Sequence, residues 1–234
     1  MLPAGPPGLD ELSRLPPPTP PPLSPVMASE LARLRPIATR RPVRQLILLI
    51  AASLVYGAGV VAKFAIRRDL HELPVTWLAG ATLAWLLGFL APIYLATVPR
   101  PGAVTPRWKL AGVAAVVASL GFIALGFALH PSGPHSALFG WARFGRGHAC
   151  LEIGLATAVV PVIFGALFLR GALPVGSRWT AAALGAGGGG LGGLVLHLHC
   201  PIADGLHVGL VHGGVVGVAA LLAALVVPRT TDVR

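Results

Sequence analysis

Two cysteines, Cys150 and Cys200, are the only thiols in the chain, and they sit among most of its eight histidines. They stand in Arg146-Gly-His-Ala-Cys150-Leu-Glu152 and Leu196-His-Leu-His-Cys200-Pro201. Two thiols can close a disulfide when their Cα atoms come within about 7 Å. Thiolate together with imidazole suits zinc, cadmium or copper(I). Two separate buried cysteines that never meet is the bland alternative, since free Cys packs well as a small apolar side chain. The histidine spacings match no established ligand pattern. His197 and His199 are two apart and so lie on different faces of a helix, where they do not converge. Taken singly, each histidine is a polar residue at home near water. As a group, His148, His197, His199 and His207 are the candidates for metal or pH sensing. His130, His148, His197 and His212 are the candidates for axial haem ligation, which requires two of them on facing helices.

The elements that must position these groups are apolar. Hydrophobic residues make up 55% of the 234 residues and charged residues 11%, with a mean hydropathy of +0.77. A soluble domain of this length carries more surface charge. The apolar residues also come in blocks and not at amphipathic spacing, so the expected fold is an all-α integral membrane protein. Six spans are expected at 45–65, 75–98, 110–130, 151–169, 180–200 and 208–228, each near the roughly 20 residues that cross a bilayer core. Pro92 and Pro161 fall inside the second and fourth. Trp77, Trp108 and Trp179 stand near span ends, where amphipathic rings prefer to sit. No cleavable leader is expected, because the first apolar block lies behind a long proline-rich segment. The cysteines begin span 4 and end span 5, so one crossing and return places both at the same membrane face.

Basic residues set the orientation. With a cytoplasmic N-terminus, the inner segments hold 13 Lys and Arg and the outer segments 5. The positive-inside rule therefore predicts both termini in the cytoplasm, with Arg67 and Arg68 in the first outer loop as a mild violation. The net charge of +10 belongs to this topology and not to nucleic-acid binding. Cys150, Cys200 and seven of the histidines then fall at or near the outer face, with His212 about a turn inside span 6.

Residues 1–44 form the expected N-terminal tail, 45–228 the membrane domain and 229–234 a short C-terminal tail. Residues 1–26 hold ten of the 23 prolines and are expected to be disordered. Residues 28–35 can form a short helix capped by Ser29, with Leu31 and Leu34 on one face. Met27 offers a second start. Glycines recur at spacing four in span 5 (Gly185, Gly189, Gly193) and into span 6 (Gly205, Gly209, Gly213, Gly217). That pattern lets helices approach closely, and it predicts spans 5 and 6 packed together beside span 4. No acid or lysine lies at mid-depth, so no ion pathway is evident. There is no C-x-x-C, phosphate loop or nucleophile elbow, so no enzyme activity is expected.

The motifs Ala149-Cys150-Leu151, Leu167-Phe-Leu-Arg170-Gly-Ala-Leu-Pro174, a glycine- and alanine-rich span 5, and Leu196-His-Leu-His199-Cys200-Pro201 resemble the NrsF family. These are six-span bacterial inner-membrane negative regulators of extracytoplasmic-function sigma factors. The resemblance covers roughly residues 28–228. It implies that the cytoplasmic segment 27–44, around Leu31, Arg33, Leu34 and Arg35, binds the sigma factor. It also implies that Cys150 and Cys200 are the signal-sensing residues. Partners are then a sigma factor and the lipid bilayer, with no direct contact to nucleic acid. No cofactor is expected, apart from the regulatory thiophilic metal that thiolate and imidazole chemistry allows at Cys150 and Cys200. A small membrane transporter, or a haem- or metal-binding redox protein, is the alternative from a different class.

Overall fold

A computed structural model describes residues 24–27, 29, 41–98, 105–128, 145, 147–169 and 177–231. The chain divides into two units, Met1–Arg40 and Arg41–Arg234. In the first, residues 25–27 and 29 are helical. Ser24, and not Ser29, supplies the cap: Met27 N–H donates to Ser24 Oγ at 3.2 Å. Pro25 follows the cap, at the position where a missing N–H does no harm. Ser29 lies inside the helical stretch and its hydroxyl donates back to Val26 O at 2.8 Å. Leu31, Arg33, Leu34 and Arg35 lie outside the described residues.

Among its described residues, the second unit contains six helical stretches long and apolar enough to cross a membrane, the sixth being His207–Pro228. The α-helices are α1 (Pro42–Phe64), α2 (Val75–Thr97), α3 (Arg107–Ala128), α4 (Gly147–Leu169), α5 (Ser177–His199) and α6 (Gly213–Thr231). A π-helical turn, His207–His212, leads directly into α6. At 1.5 Å per residue, helices of 22–23 residues reach about 33–35 Å, enough for the roughly 30 Å hydrocarbon core. Several begin up to a turn earlier than the sequence pattern suggests, as at Pro42, where proline takes the first helical turn. Pro92 and Pro161 lie inside continuous helices. Among the described residues there is no strand.

One helix is the post around which the others stand. α5 contacts each of the other five, and 94% of its apolar window is buried, against 17–50% for the rest. Its composition explains this. A helix enclosed on all sides needs small residues wherever a neighbour's backbone approaches, because lipid supplies no hydrophobic force and contact must come from close packing. A Cβ on Gly185 or Gly189 would meet the backbone of Ala219 or Val216 on α6. One on Gly188 or Gly192 would meet Ala158 O or Gly154 O on α4, and one on Gly190 the Gly88–Phe89 backbone of α2. Gly193 instead leaves room for the Trp85 ring of α2, which stacks on Phe122 of α3 at 4.0 Å.

The expected contact of spans 5 and 6 is present, but the glycine stripe of span 6 does not make it. Gly209 and Gly213 press on the backbone of α3 at Ile123 and Phe122, and Gly217 lies nearest Ser119. The α5–α6 contact uses α5 glycines against Val216, Ala219 and Ala220. Spacing alone identifies a close-packing stripe without naming its partner. The outward faces carry Val55, Leu83, Val117, Leu120 and Leu221, all exposed, as lipid-facing positions should be.

Candidate metal and thiol site

Cys150 lies in the first turn of α4. Cys200 directly follows α5, and its N–H donates to Leu196 O at 2.8 Å, so it keeps the helical course for one more residue. Pro201 then stops the helix. The chain turns through Asp204, fully buried, whose carbonyl accepts the Val208 N–H at 2.8 Å and opens the next helical stretch. That stretch becomes the π turn, closed by the Gly213 N–H donating to Val208 O, five residues back.

This path brings four side chains together. Cys150 Sγ and Cys200 Sγ are 3.5 Å apart, both as free thiols. Cys200 Sγ is 3.5 Å from His207 Nε2. The His207 and His212 rings meet at 5.0 Å, edge to face. One donor atom from each of Cys150, Cys200, His207 and His212 lies within 4.8 Å of every other. Cys200, His207 and His212 are buried at 2%, 0% and 2% exposure, and Cys150 is half-buried. Among the described residues, His207 Nδ1 and His212 Nε2 have no hydrogen-bond partner.

The surrounding helices hold the π turn from two sides. Gly126 of α3 lies so close to Gly209 that a Cβ there would stand 2.4 Å from the Gly209 Cα. On the other side Gly147, the first residue of α4, admits Val211 and the edge of the His207 ring.

A latch fixes the α5 side of the site. Arg67, in the α1–α2 loop and 5% exposed, grips Asp69 with two hydrogen bonds of 2.7 Å. It also reaches the end of α5: its N–H donates to Leu198 O at 2.9 Å, and its guanidinium lies 3.4 Å from both His197 O and Pro201 O. A cation donating to the last carbonyls of a helix satisfies groups that have no intrahelical partner and complements the helix dipole. Hydrogen bonds from Arg67 hold the Asp69 carboxyl below its ordinary value of 3.8, outweighing the partial burial that raises it. Beside the latch, His199 Nδ1–H donates to Ala65 O at 2.8 Å. Ala65 itself carries φ 67° and ψ 156°, a region that favours glycine.

Four histidines were the sequence candidates for sensing, and one of them joins the cysteines. His207 does. His148 is exposed at the start of α4, with Nδ1 3.4 Å from Gly145 O. His197 faces α2, with its ring 5.0 Å from Trp77 and Nε2 3.4 Å from Leu78 O. His199 belongs to the Ala65 latch. The fourth member of the cluster is His212, which spacing gave only as a haem candidate. His130 lies outside the described residues.

The whole membrane domain with these motifs matches the model of the NrsF family, described as negative regulator of sigma F, over residues 31–232. The chain belongs to the NrsF family. No curated protein and no solved structure matches it. Family membership makes the chain a negative regulator whose partner is a sigma factor, and the six apolar helices make it a multi-pass membrane protein. Both agree with the sequence reading. The clustered thiols and imidazoles therefore belong to a regulator.

Proposed function

We propose that this NrsF protein is an anti-sigma factor of the bacterial inner membrane. It holds an extracytoplasmic-function sigma factor through its cytoplasmic N-terminal segment and releases it when the site at Cys150 and Cys200 registers a redox, metal or envelope signal. The observation that carries the reading is the family match across 31–232, which spans the segment from Leu31 onward and the membrane domain together. Orientation is supported by the 13-to-5 distribution of Lys and Arg. The latch adds to this argument. Arg67, one of the five on the outer side, is buried and neutralised by Asp69, so it opposes the inward bias less than a free arginine would.

The division of labour follows from the topology. Input groups stand where α4 and the π turn before α6 begin and α5 ends, the side at which α1 ends beside His199. α5 contacts every other helix, so a change at Cys200 bears on the whole bundle. The test is co-purification of the full chain, and of a fragment ending near Arg44, with the cognate sigma factor. Both are expected to retain it, and Leu31→Asp with Leu34→Asp is expected to lose it. A full chain that binds no sigma factor overturns the reading.

A further inference from the structure

We propose that Cys150, Cys200, His207 and His212 form a tetrahedral site for one closed-shell thiophilic cation, Zn²⁺, Cd²⁺ or Cu⁺. Its position as the regulator's input rests on the function proposed above; the binding itself does not.

The geometry separates this site from a simple dithiol. Metal–sulfur bonds of about 2.3 Å and metal–nitrogen bonds of about 2.0–2.1 Å give tetrahedral edges of about 3.8 Å for S···S and about 3.5 Å for S···N. The observed separations are 3.5 Å for Cys150–Cys200 and 3.5 Å for Cys200–His207, with all four donors inside 4.8 Å. Small rotamer adjustments bring the set onto one centre. A disulfide would need only the two sulfurs. It would not explain two buried imidazoles gathered on those sulfurs from a different helix, with a donor atom of each within 4.8 Å of both.

Two thiolates and two imidazoles are a set preferred by soft and borderline d¹⁰ ions, and oxygen-seeking Mg²⁺ or Ca²⁺ is excluded by the absence of a carboxylate among the four donors. Binding converts two Cys S–H groups to thiolates, and the two protons leave to solvent. Half-buried Cys150 is the open side by which an ion enters.

The site also has a built-in mechanical consequence. Its ligands come from α4, from the end of α5 and from the π turn before α6, so one ion ties three helices. π turns of this kind recur at functional sites within otherwise α-helical segments. Here the turn is held by the backbone of Gly209 against Gly126 and by the Val211 side chain against Gly147, and an ion would fix its remaining freedom at the His207–His212 edge.

The experiment uses the full chain, reduced, in detergent or nanodiscs without any sigma factor. Co²⁺ titration is expected to give one ion per chain, intense tetrahedral d–d absorption and a thiolate-to-cobalt charge-transfer band. About two protons should be released per ion. Zn²⁺ and Cd²⁺ are expected to displace the cobalt stoichiometrically, and Cu⁺ is assayed by competition with a colorimetric chelator. Cys150→Ser, Cys200→Ser, His207→Ala and His212→Ala should each weaken binding by more than about 10-fold, the least that losing even an outer-shell partner costs. His148→Ala should leave it unchanged. Because the ligands are buried, His212→Cys is the variant that protects against misfolding: it should retain binding and intensify the charge-transfer band. Bands that survive His207→Ala and His212→Ala at full strength would reduce the site to the two cysteines and overturn the proposal. So would a reduced chain that binds none of the ions and merely oxidises to a disulfide. Either result leaves the sigma-binding test untouched.

Discussion

His207 and His212 are five residues apart, yet their rings meet edge to face at 5.0 Å. In an α-helix, at about 100° per residue, a separation of five places side chains roughly 140° apart. In the π turn that spans these residues, hydrogen bonds close from i to i+5, and residues five apart lie one above the other. The π turn is thus the reason the fourth donor exists.

A π turn can be regarded as an α-helix with one residue added, and that gives a sharp prediction. Removing Leu210, which is 43% exposed on the outer side of the turn, should return the segment to α geometry. The two histidines would then stand at i and i+4, still on one face. The expected outcome is a folded chain whose thermal midpoint shifts by only a few degrees and whose Co²⁺ affinity stays within about 10-fold. Deleting Leu221 instead, within regular α6, should rotate everything beyond it by about 100° and lower the midpoint sharply. Circular dichroism with a melting curve in detergent reads both. If the Leu210 deletion behaves like the Leu221 deletion, the turn is not an inserted residue.

This relationship also marks where sequence reasoning ends. Six apolar blocks, each near bilayer length, are legible because hydrophobicity is averaged over some 20 residues and tolerates error at either end. One crossing and one return set Cys150 and Cys200 at the same depth, and the structure adds the lateral approach that brings their sulfurs to 3.5 Å. His212 stands apart in the sequence because it falls about a turn inside span 6, deeper than the other histidines, and nothing in the residue pattern marks the π turn that brings it back to His207. His197 and His199 looked like candidates through proximity to Cys200 in sequence. Helix geometry turns them instead toward α2 and toward Ala65. The α5 glycines announce close packing, but a period of four cannot say that Gly209 and Gly213 face α3.

The Arg67–Asp69 pair should govern how the α5 end behaves in acid. Asp69 is held below its ordinary 3.8 by hydrogen bonds from Arg67. A carboxyl with a lowered folded-state pKa adds stability that is complete above its unfolded value and is lost as pH falls through the folded one. The latch is therefore at full strength at neutral pH and weakens below about pH 4. Asp69→Asn should flatten that acid limb of the stability curve. Arg67→Ala removes two strong hydrogen bonds to a part-exposed carboxylate and uncaps α5, and should cost about 2 kcal/mol. Melting midpoints between pH 3 and 7 check both. An Asp69→Asn variant with an unchanged acid limb would show that other groups set it.

Ala65 holds a backbone conformation, φ 67° and ψ 156°, that a residue with a Cβ adopts at a cost of order 1–3 kcal/mol. Glycine relieves this strain but gives back about 0.5–1 kcal/mol in chain entropy. Ala65→Gly should therefore stabilise the fold by about 1 kcal/mol, whereas Ala65→Val should destabilise it. Because His199 donates to Ala65 O, the same comparison in a His199→Ala background asks whether the latch is what holds the strain. In that background the loop can relax, and the gain from glycine should shrink. An equal gain in both backgrounds would detach the histidine from the loop conformation.

Two glycines of α3 allow the packing beside the metal site to be tested against helix propensity alone. A Cβ at Gly121 meets nothing within 4 Å, while one at Gly126 would stand 2.4 Å from the Cα and N of Gly209 in the π turn. Gly121→Ala should gain about 0.5–1 kcal/mol, the ordinary benefit of alanine over glycine inside a helix. Gly126→Ala meets backbone, which cannot rotate aside as a side chain does, so the overpacking cost of about 1–3 kcal/mol is a lower bound and the net effect is a loss. The displacement falls on the turn that carries His207 and His212, so Gly126→Ala should also weaken Co²⁺ binding while Gly121→Ala leaves it intact. Stability and cobalt spectra measured on the two variants side by side decide the matter. A Gly126→Ala chain as stable as wild type, with an unaltered cobalt spectrum, would mean that α3 does not press on the turn as the structure shows.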